Sequence, residues 1–321
     1  MHMEEILQIF PVRIQTILHS HIRNQWTRLQ EIRCRIHQSI ELVFDDFVIF
    51  IEEFVLQRSH VQSMLNQISA YSLYRMEDEL REGYMTIKGG HRIGLAGEVT
   101  ASHNKIHALQ YITFLNIRIA KEHQGCAQSL LPYIYQNNYK HTLIIGAPKT
   151  GKTSLIRDAT RLISNGWGSI PSKKVGLVDE RSEIAASHRG IPTLQVGRRT
   201  DVLDRCPKVE GMMMFIRSMS PEVLVVDEIG SEQDIIGIQE AMHAGVSVIC
   251  TAHANSIEDI RERPSFQLLF QTKSFMRIVH LNALEIPGTI QTVYDAEWNP
   301  VKSPLHIGDE KDEVDWRTAF H

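Results

Sequence analysis

The stretch Gly146-Ala147-Pro148-Lys149-Thr150-Gly151-Lys152-Thr153-Ser154 carries the most specific chemistry in this sequence. It fits G-x-x-x-x-G-K-[ST], the spacing of a phosphate-binding loop. A polyphosphate needs several backbone N–H donors aimed at one place, and side chains there would block its approach. Gly146 and Gly151 let the chain wrap the phosphates, and a helix starting near Lys152 adds its positive dipole end. In this pattern Lys152 neutralises the β- and γ-phosphates and the Thr153 hydroxyl holds Mg2+. The chemistry implied is the binding of a nucleotide such as ATP, and an ordinary strand–turn–helix corner explains the pattern poorly.

Hydrolysis needs acids nearby. Leu224-Val-Val-Asp227-Glu228 has the form of a Walker B strand. Asp227 is assigned to the metal and Glu228 to activation of the attacking water. A second acidic tip, Asp179-Glu180 with Glu183 close by, admits two readings: a further metal-water contact or base, with Glu180 as the candidate, or a charged strand end that caps the next helix. His253, at the end of another apolar run, can donate a hydrogen bond to a γ-phosphate or be satisfied by backbone. The segment 189–217 carries five arginines. They form a solvated face, or they supply transition-state charge to a neighbouring subunit's nucleotide, with Arg199 and Arg217 as the candidates.

These residues need a scaffold that brings strand ends together. Leu143–Ile145, Lys174–Arg181, Glu222–Ile229 and Val246–His253 each hold a continuous apolar run with a helical pattern before or after it, which is how buried parallel strands read. In such sheets ligands bind at the carboxyl ends of the strands, and every polar cluster named above lies at such an end. Met276–Leu281 and Thr289–Asp295 are expected to finish the sheet as antiparallel strands. Residues 126–137 are expected to form an amphipathic helix, and 256–270 a capped helix broken at Pro264.

Upstream, residues 1–122 read as a smaller α+β domain. Helical spacing over 4–24 and 58–81 alternates with strand patterns over 32–36 and 40–55, a hairpin over 84–100 across Gly89-Gly90, and a further strand over 111–120. The glycines of Arg92-Ile-Gly-Leu-Ala-Gly-Glu98 mark a bulge or a close backbone approach. Arg92 and Arg118 are either ordinary paired arginines or charges delivered to a phosphate at a junction. The expected organisation is therefore 1–122, an ATPase domain over 123–298, and a flexible, polar and acidic tail over 299–321.

Composition limits the alternatives. The chain has 321 residues, 43% of them hydrophobic, and no apolar run near the ~18 residues of a membrane span. Its first residues carry two acids and no basic stretch, so no signal peptide is expected. A formal net charge of −4 disfavours a globally basic nucleic-acid binder. The four cysteines have no metal or disulfide spacing.

Taken together, Arg92–Glu98, Gly146–Ser154, Val178-Asp-Glu-Arg-Ser-Glu-Ile184, Arg199-Thr-Asp-Val-Leu203, Gly211–Met214, Ile216–Glu222, Val226–Gly230, Ala241–Gly245 and Thr251-Ala-His-Ala254 resemble the stage III sporulation AA family of endospore-forming bacteria. That family is similar to the ATPases of type II and type IV secretion systems. The resemblance implies a RecA-like P-loop NTPase core of mostly parallel sheet behind a smaller α+β domain. It also implies an Asp box over Asp179–Glu183, a Walker B glutamate at Glu228 and a His box ending at His253. Secretion ATPases usually have Gly where this chain has Asp227, so the metal role of Asp227 rests on the general Walker pattern. A homo-hexamer is implied too, placed in the mother-cell cytoplasm and attached to a membrane channel toward the forespore through membrane-embedded partner subunits. The leading expectation is an ATP-hydrolysing motor. The alternatives are a nucleic-acid-dependent RecA-like ATPase and a nucleotide-gated ring that scarcely turns over.

Overall fold

In the computed structural model, which describes residues 3–69, 83–102, 105–121, 123–282 and 288–302, the apolar runs become the middle of a seven-stranded sheet. Its strands are β9 (Thr142–Gly146), β10 (Val175–Asp179), β11 (Thr200–Asp204), β12 (Val223–Val226), β13 (Ser247–His253), β14 (Arg277–Leu281) and β15 (Ile290–Tyr294). The order is β11-β10-β12-β13-β9-β14-β15. All neighbours run parallel except the closing β14–β15 pair. Every residue of β9, β10 and β12 is buried, because helices cover both faces and leave no polar side for alternation.

One face is covered by a helix over Lys152–Asn165, which buries Leu155, Ile156, Ala159 and Ile163 against Ile144, Leu177 and Val225. Helices over Lys208–Ser218, Glu232–His243, Ile257–Glu262 and Gln267–Gln271 serve the other face, burying Met212, Phe215, Ile235, Ile238 and Leu269 with Ile145, Val178 and Val226. The helix after Ser256 is capped as expected, since its hydroxyl accepts the Asp259 N–H at 3.2 Å, and the chain breaks at Pro264.

Two segments differ from expectation. Residues 126–137 hold only a short helix, Leu131–Ile134, followed by a small hairpin of β7 (Tyr135–Gln136) and β8 (Asn138–Tyr139) that turns at Asn137 with φ 60°. Pro132 sits in the first turn of that helix, where its missing N–H costs nothing, and so fixes a late start. Thr200–Asp204, read only as part of an arginine-bearing segment, is the edge strand β11.

The chain divides into two units. The first is Met1–Lys121 together with Ala186–Thr193, and the second is the remainder. The first unit contains α1 (Met3–Leu7), α2 (Val12–Ile22), β1 (Leu29–Arg35), β2 (Ser39–Phe44), β3 (Val48–Val55), α3 (Arg58–Ser69), β4 (Tyr84–Thr86), β5 (Arg92–Ser102) and β6 (Lys105–Arg118). Its sheet has the order β3-β2-β1-β6-β5-β4 and is antiparallel throughout. Ile14, Leu18 and Ile22 of α2 pack with Ile32, Leu42, Ile93 and Ile117 of the sheet in its core. The expected close approach is at Gly97, where a Cβ would lie 1.7 Å from the Tyr111 carbonyl oxygen beside a register shift. Arg92 stacks 3.6 Å from the Tyr84 ring centroid, and Arg118 lies 3.8 Å from Glu31. Both arginines are thus engaged within their own sheet. The expected helix beyond Ser69 and most of the expected tail, residues 303–321, lie outside the described residues.

Candidate active site

The helices of the second unit are α4 (Leu131–Ile134), α5 (Lys152–Asn165), α6 (Lys208–Ser218), α7 (Glu232–His243), α8 (Ile257–Glu262) and α9 (Gln267–Gln271). The loop between β9 and α5 is fixed by close packing. A Cβ on Gly146 would lie 2.6 Å from Thr150 Oγ1, so any larger residue would have to displace that hydroxyl. Lys149 and Gly151 take left-handed backbone, φ 67° and 89°, and turn the chain into α5. The Thr150 hydroxyl donates to the Ala147 carbonyl at 2.9 Å. Pro148 and Lys149 are exposed, whereas Thr153 and Ser154 are half-buried in the first turn of α5. That turn begins with backbone N–H groups that have no partner inside the helix, the usual donors for an anion.

Lys152 is nearly buried at 7% exposure. Its Nζ donates to the carbonyls of Gly146 at 2.7 Å and Ala147 at 2.8 Å, and lies 3.1 Å from His253 Nδ1. Burial pushes the amine below its ordinary range, while Asp227 and Glu228 pull it back up. His253 arrives here because β13 lies beside β9, with His253 in register with Gly146.

The next strand supplies the acids. Asp227 follows β12, and its Oδ1 accepts the Thr251 hydroxyl; the same oxygen of Thr251 accepts the Glu228 N–H at 2.8 Å. Burial raises the Asp227 carboxyl above the usual range, opposed by the Thr251 hydrogen bond. Glu228 has left-handed backbone, φ 53°. Its Oε1 lies 3.2 Å from His253 Nε2 and its Oε2 meets Arg181 Nη1. A lysine ammonium only donates, so His253 Nδ1 accepts and its proton sits on Nε2, facing the glutamate. One continuous set of contacts therefore runs Arg181–Glu228–His253–Lys152 to the loop carbonyls.

The structure does not bring every candidate to this cluster. Glu180 pairs with Lys208 at the start of α6. Asp179 turns back on its own loop, where its carboxylate accepts N–H groups of Glu183, Ile184 and Ala185 at 2.9, 3.0 and 2.8 Å. Arg199 donates to the carbonyl of Ser172 at 2.8 Å, and its own carbonyl accepts from Val175 at the start of β10. Arg217 is in the last turn of α6, just before the start of β12. Both arginines thus lie at the end of the sheet opposite the phosphate loop, where neither serves this chain's own loop. Sequence reasoning passed over two residues of the cluster, Arg181 and Thr251. Each stands inside a block it singled out, but neither type carries a signal unless the neighbouring strand is known.

A family model described as Sporulation stage III, protein AA matches residues 1–301. The chain belongs to this family. Stage III sporulation protein AA of Bacillus subtilis (strain 168) is 46% identical over 297 residues, covering 92% of this chain and 96% of that one. Two solved structures share the fold at 13% identity. The ATPase DotB of Legionella pneumophila has a TM-score of 0.59, covering 84% of this chain and 76% of that one. The pilus retraction motor PilT with bound ADP has a TM-score of 0.57, covering 87% of this chain and 81% of that one. The family member's core is thus of the expected class, RecA-like with a mostly parallel sheet. Among the described residues, no helix is long and apolar enough to cross a membrane.

Proposed function

We propose that this chain is a Mg2+-dependent ATPase that energises a transport complex between mother cell and forespore. The observation that carries the reading is the unbroken set of contacts linking the phosphate-loop lysine, through His253, to Glu228 across three neighbouring strand ends. Such a link is what a site needs if occupation by phosphate is to be felt at the water-activating base.

The residues fit the groups they would hold. A Cβ at Gly146 would press on the Thr150 hydroxyl of the glycine-bounded turn, and Lys152 is held at the start of α5 with its charge directed along the loop. Among the described residues, no cluster of three His, Cys, Asp or Glu side chains forms a metal site. Mg2+ takes one or two protein oxygens and completes its shell with phosphates and water. Thr153 and Asp227 would hold it, and when bound it supplies charge neutralisation at the β- and γ-phosphates. Lys152 exchanges its two carbonyl partners for phosphate oxygens. Glu228 orients water and takes its proton, with His253 fixing the carboxylate through Nε2. Thr251 holds the Asp227 side chain and the Glu228 backbone together.

A hexamer is the assembly this fold supports best, with Arg199 or Arg217, which face away from their own loop, acting on a neighbour's nucleotide. Membrane attachment would come through membrane-embedded partner subunits. The test is phosphate release by the purified chain with Mg2+ and ATP, together with particle mass with and without nucleotide. Wild type should turn over, Lys152→Ala should not, and single-stranded nucleic acid should leave the rate unchanged. Normal turnover by Lys152→Ala would overturn the assignment.

A further inference from the structure

The loop after β10 is fastened from inside, and its first turn holds Arg181 outward. Asp179 anchors three successive N–H groups, those of Glu183, Ile184 and Ala185. From α5, Arg157 donates through Nε to the Ile184 carbonyl at 2.5 Å and through Nη2 to that of Glu183 at 2.6 Å. Ser182 turns the chain with φ 54°, a left-handed backbone that side-chain-bearing residues rarely adopt. Arg181 sits between the anchor and the turn. Its guanidinium reaches over to Oε2 of Glu228, on the next strand end.

This leaves both oxygens of Glu228 engaged, one by Arg181 and one by His253. With a donor already on each oxygen, the approach of a water to Glu228 is narrowed, and it opens when one partner lets go. His253 is tied at its other nitrogen to Lys152. Arg181 is the more exposed of the two, 56% against 43%, and has more room to move. A terminal phosphate carries close to two negative charges and offers paired oxygens, which a guanidinium prefers to a single carboxylate oxygen.

We infer that Arg181 exchanges between the Glu228 carboxylate and the terminal phosphate of a bound nucleoside triphosphate, so that triphosphate binding releases Glu228 for work. The inference rests on the nucleotide site proposed above. It makes Arg181 a phosphate-contacting residue that distinguishes a triphosphate from a diphosphate within one chain, a role Arg199 and Arg217 cannot fill from the far end of the sheet.

The experiment is equilibrium titration, with Mg2+, of fluorescent ADP and a fluorescent non-hydrolysable ATP analogue against wild type, Arg181→Ala, Arg181→Lys, Glu228→Gln and the Arg181→Ala/Glu228→Gln double variant. Arg181→Ala should bind the diphosphate within about twofold of wild type and the triphosphate about tenfold more weakly, a change of about 1.4 kcal/mol. Arg181→Lys should recover part of the loss. Removing the competing carboxylate by Glu228→Gln should tighten the triphosphate severalfold when Arg181 is present and much less in the double variant, a coupling that a merely structural role would not produce. Equal weakening of both nucleotides, or no weakening of either, overturns the inference while leaving the nucleotide site in place. If wild type binds neither nucleotide, the site itself is wrong and the inference falls with it. Arg181→Gln serves as a replacement should the alanine variant unfold.

Discussion

Strands β10 and β12 lie side by side, run in the same direction, and end in the same three letters. Val178-Asp179-Glu180 stands beside Val226-Asp227-Glu228, with Val178 in register with Val226. By sequence and sheet position the two tips are equivalent, yet their side chains do different things. Asp179 folds back to fasten its own loop and Glu180 goes to Lys208. Asp227 is held by Thr251, and Glu228 meets His253 and Arg181. The difference comes from what lies next door. The neighbour of β12 is β13, which carries Thr251 and His253 and itself lies against the phosphate-loop strand. The outer neighbour of β10 is the edge strand β11, which brings no such groups. An acidic pair after an apolar strand is thus an available tool, and its distance in strands from the phosphate loop decides its use.

The largest test of this comparison is Glu228→Gln. The amide keeps the shape and can still meet His253, but it cannot take a proton. The expected loss in kcat is about a thousandfold, within the usual range for a general base and about 4 kcal/mol on the barrier. ATP binding should be retained. Single-turnover phosphate release against nucleotide titration separates the two, and a rate within tenfold of wild type would show that this tip is no more chemical than its neighbour.

Much of the scaffold behind this comparison was legible in the sequence. Buried parallel strands leave a plain signature, and β9, β10, β12 and β13 stood out as unbroken apolar runs. The turn at Gly89-Gly90 and the stop at Pro264 were legible because Gly and Pro act through their own backbones. What stayed hidden depended on partners distant in sequence. Thr200–Asp204 is short and flanked by arginines, and it becomes a strand only because β10 offers an edge to pair with. Residues 126–137 have helical spacing, but Pro132 and the turn at Asn137 overrule it. The fate of Asp179 was left open between catalysis and capping, since either use is consistent with the letters alone. Arg181 is invisible as a partner of Glu228 until β10 and β12 are known to be adjacent.

Asp179 gives the next-largest effect, on stability instead of rate. Asp179→Ala removes the acceptor for three N–H groups in a buried setting, and the expected cost is about 3 kcal/mol, read as a fall in the urea midpoint. The carboxyl also carries a pH signature. Burial outweighs its three N–H donors and raises it from 3.8 to about 6. Above its unfolded value, the folded chain holds this proton more tightly than the unfolded chain does. The contribution to stability is therefore full below about pH 4 and is lost as pH rises through about 6. Wild type should lose more stability than Asp179→Asn between pH 5 and pH 7, the asparagine having no proton to lose. Parallel curves for the two proteins would mean that the carboxyl is already ionised throughout that range.

Glu180→Gln should do least, and for that reason it sharpens the contrast most. Its partner Lys208 opens α6 and is only 13% exposed, but Glu180 itself lies 39% exposed, where water screens the pair. Exposed ion pairs contribute about 0.2–1 kcal/mol, because water screens the attraction and both side chains lose freedom in forming it. The amide should therefore shift the urea midpoint only slightly and leave kcat within about twofold. An assembly in which Glu180 left Lys208 to serve as a base would give a different result: a kcat loss approaching that of Glu228→Gln with nucleotide binding intact. Two tips with one spelling would then share one chemistry, and the order of strands would no longer explain which acid does the work.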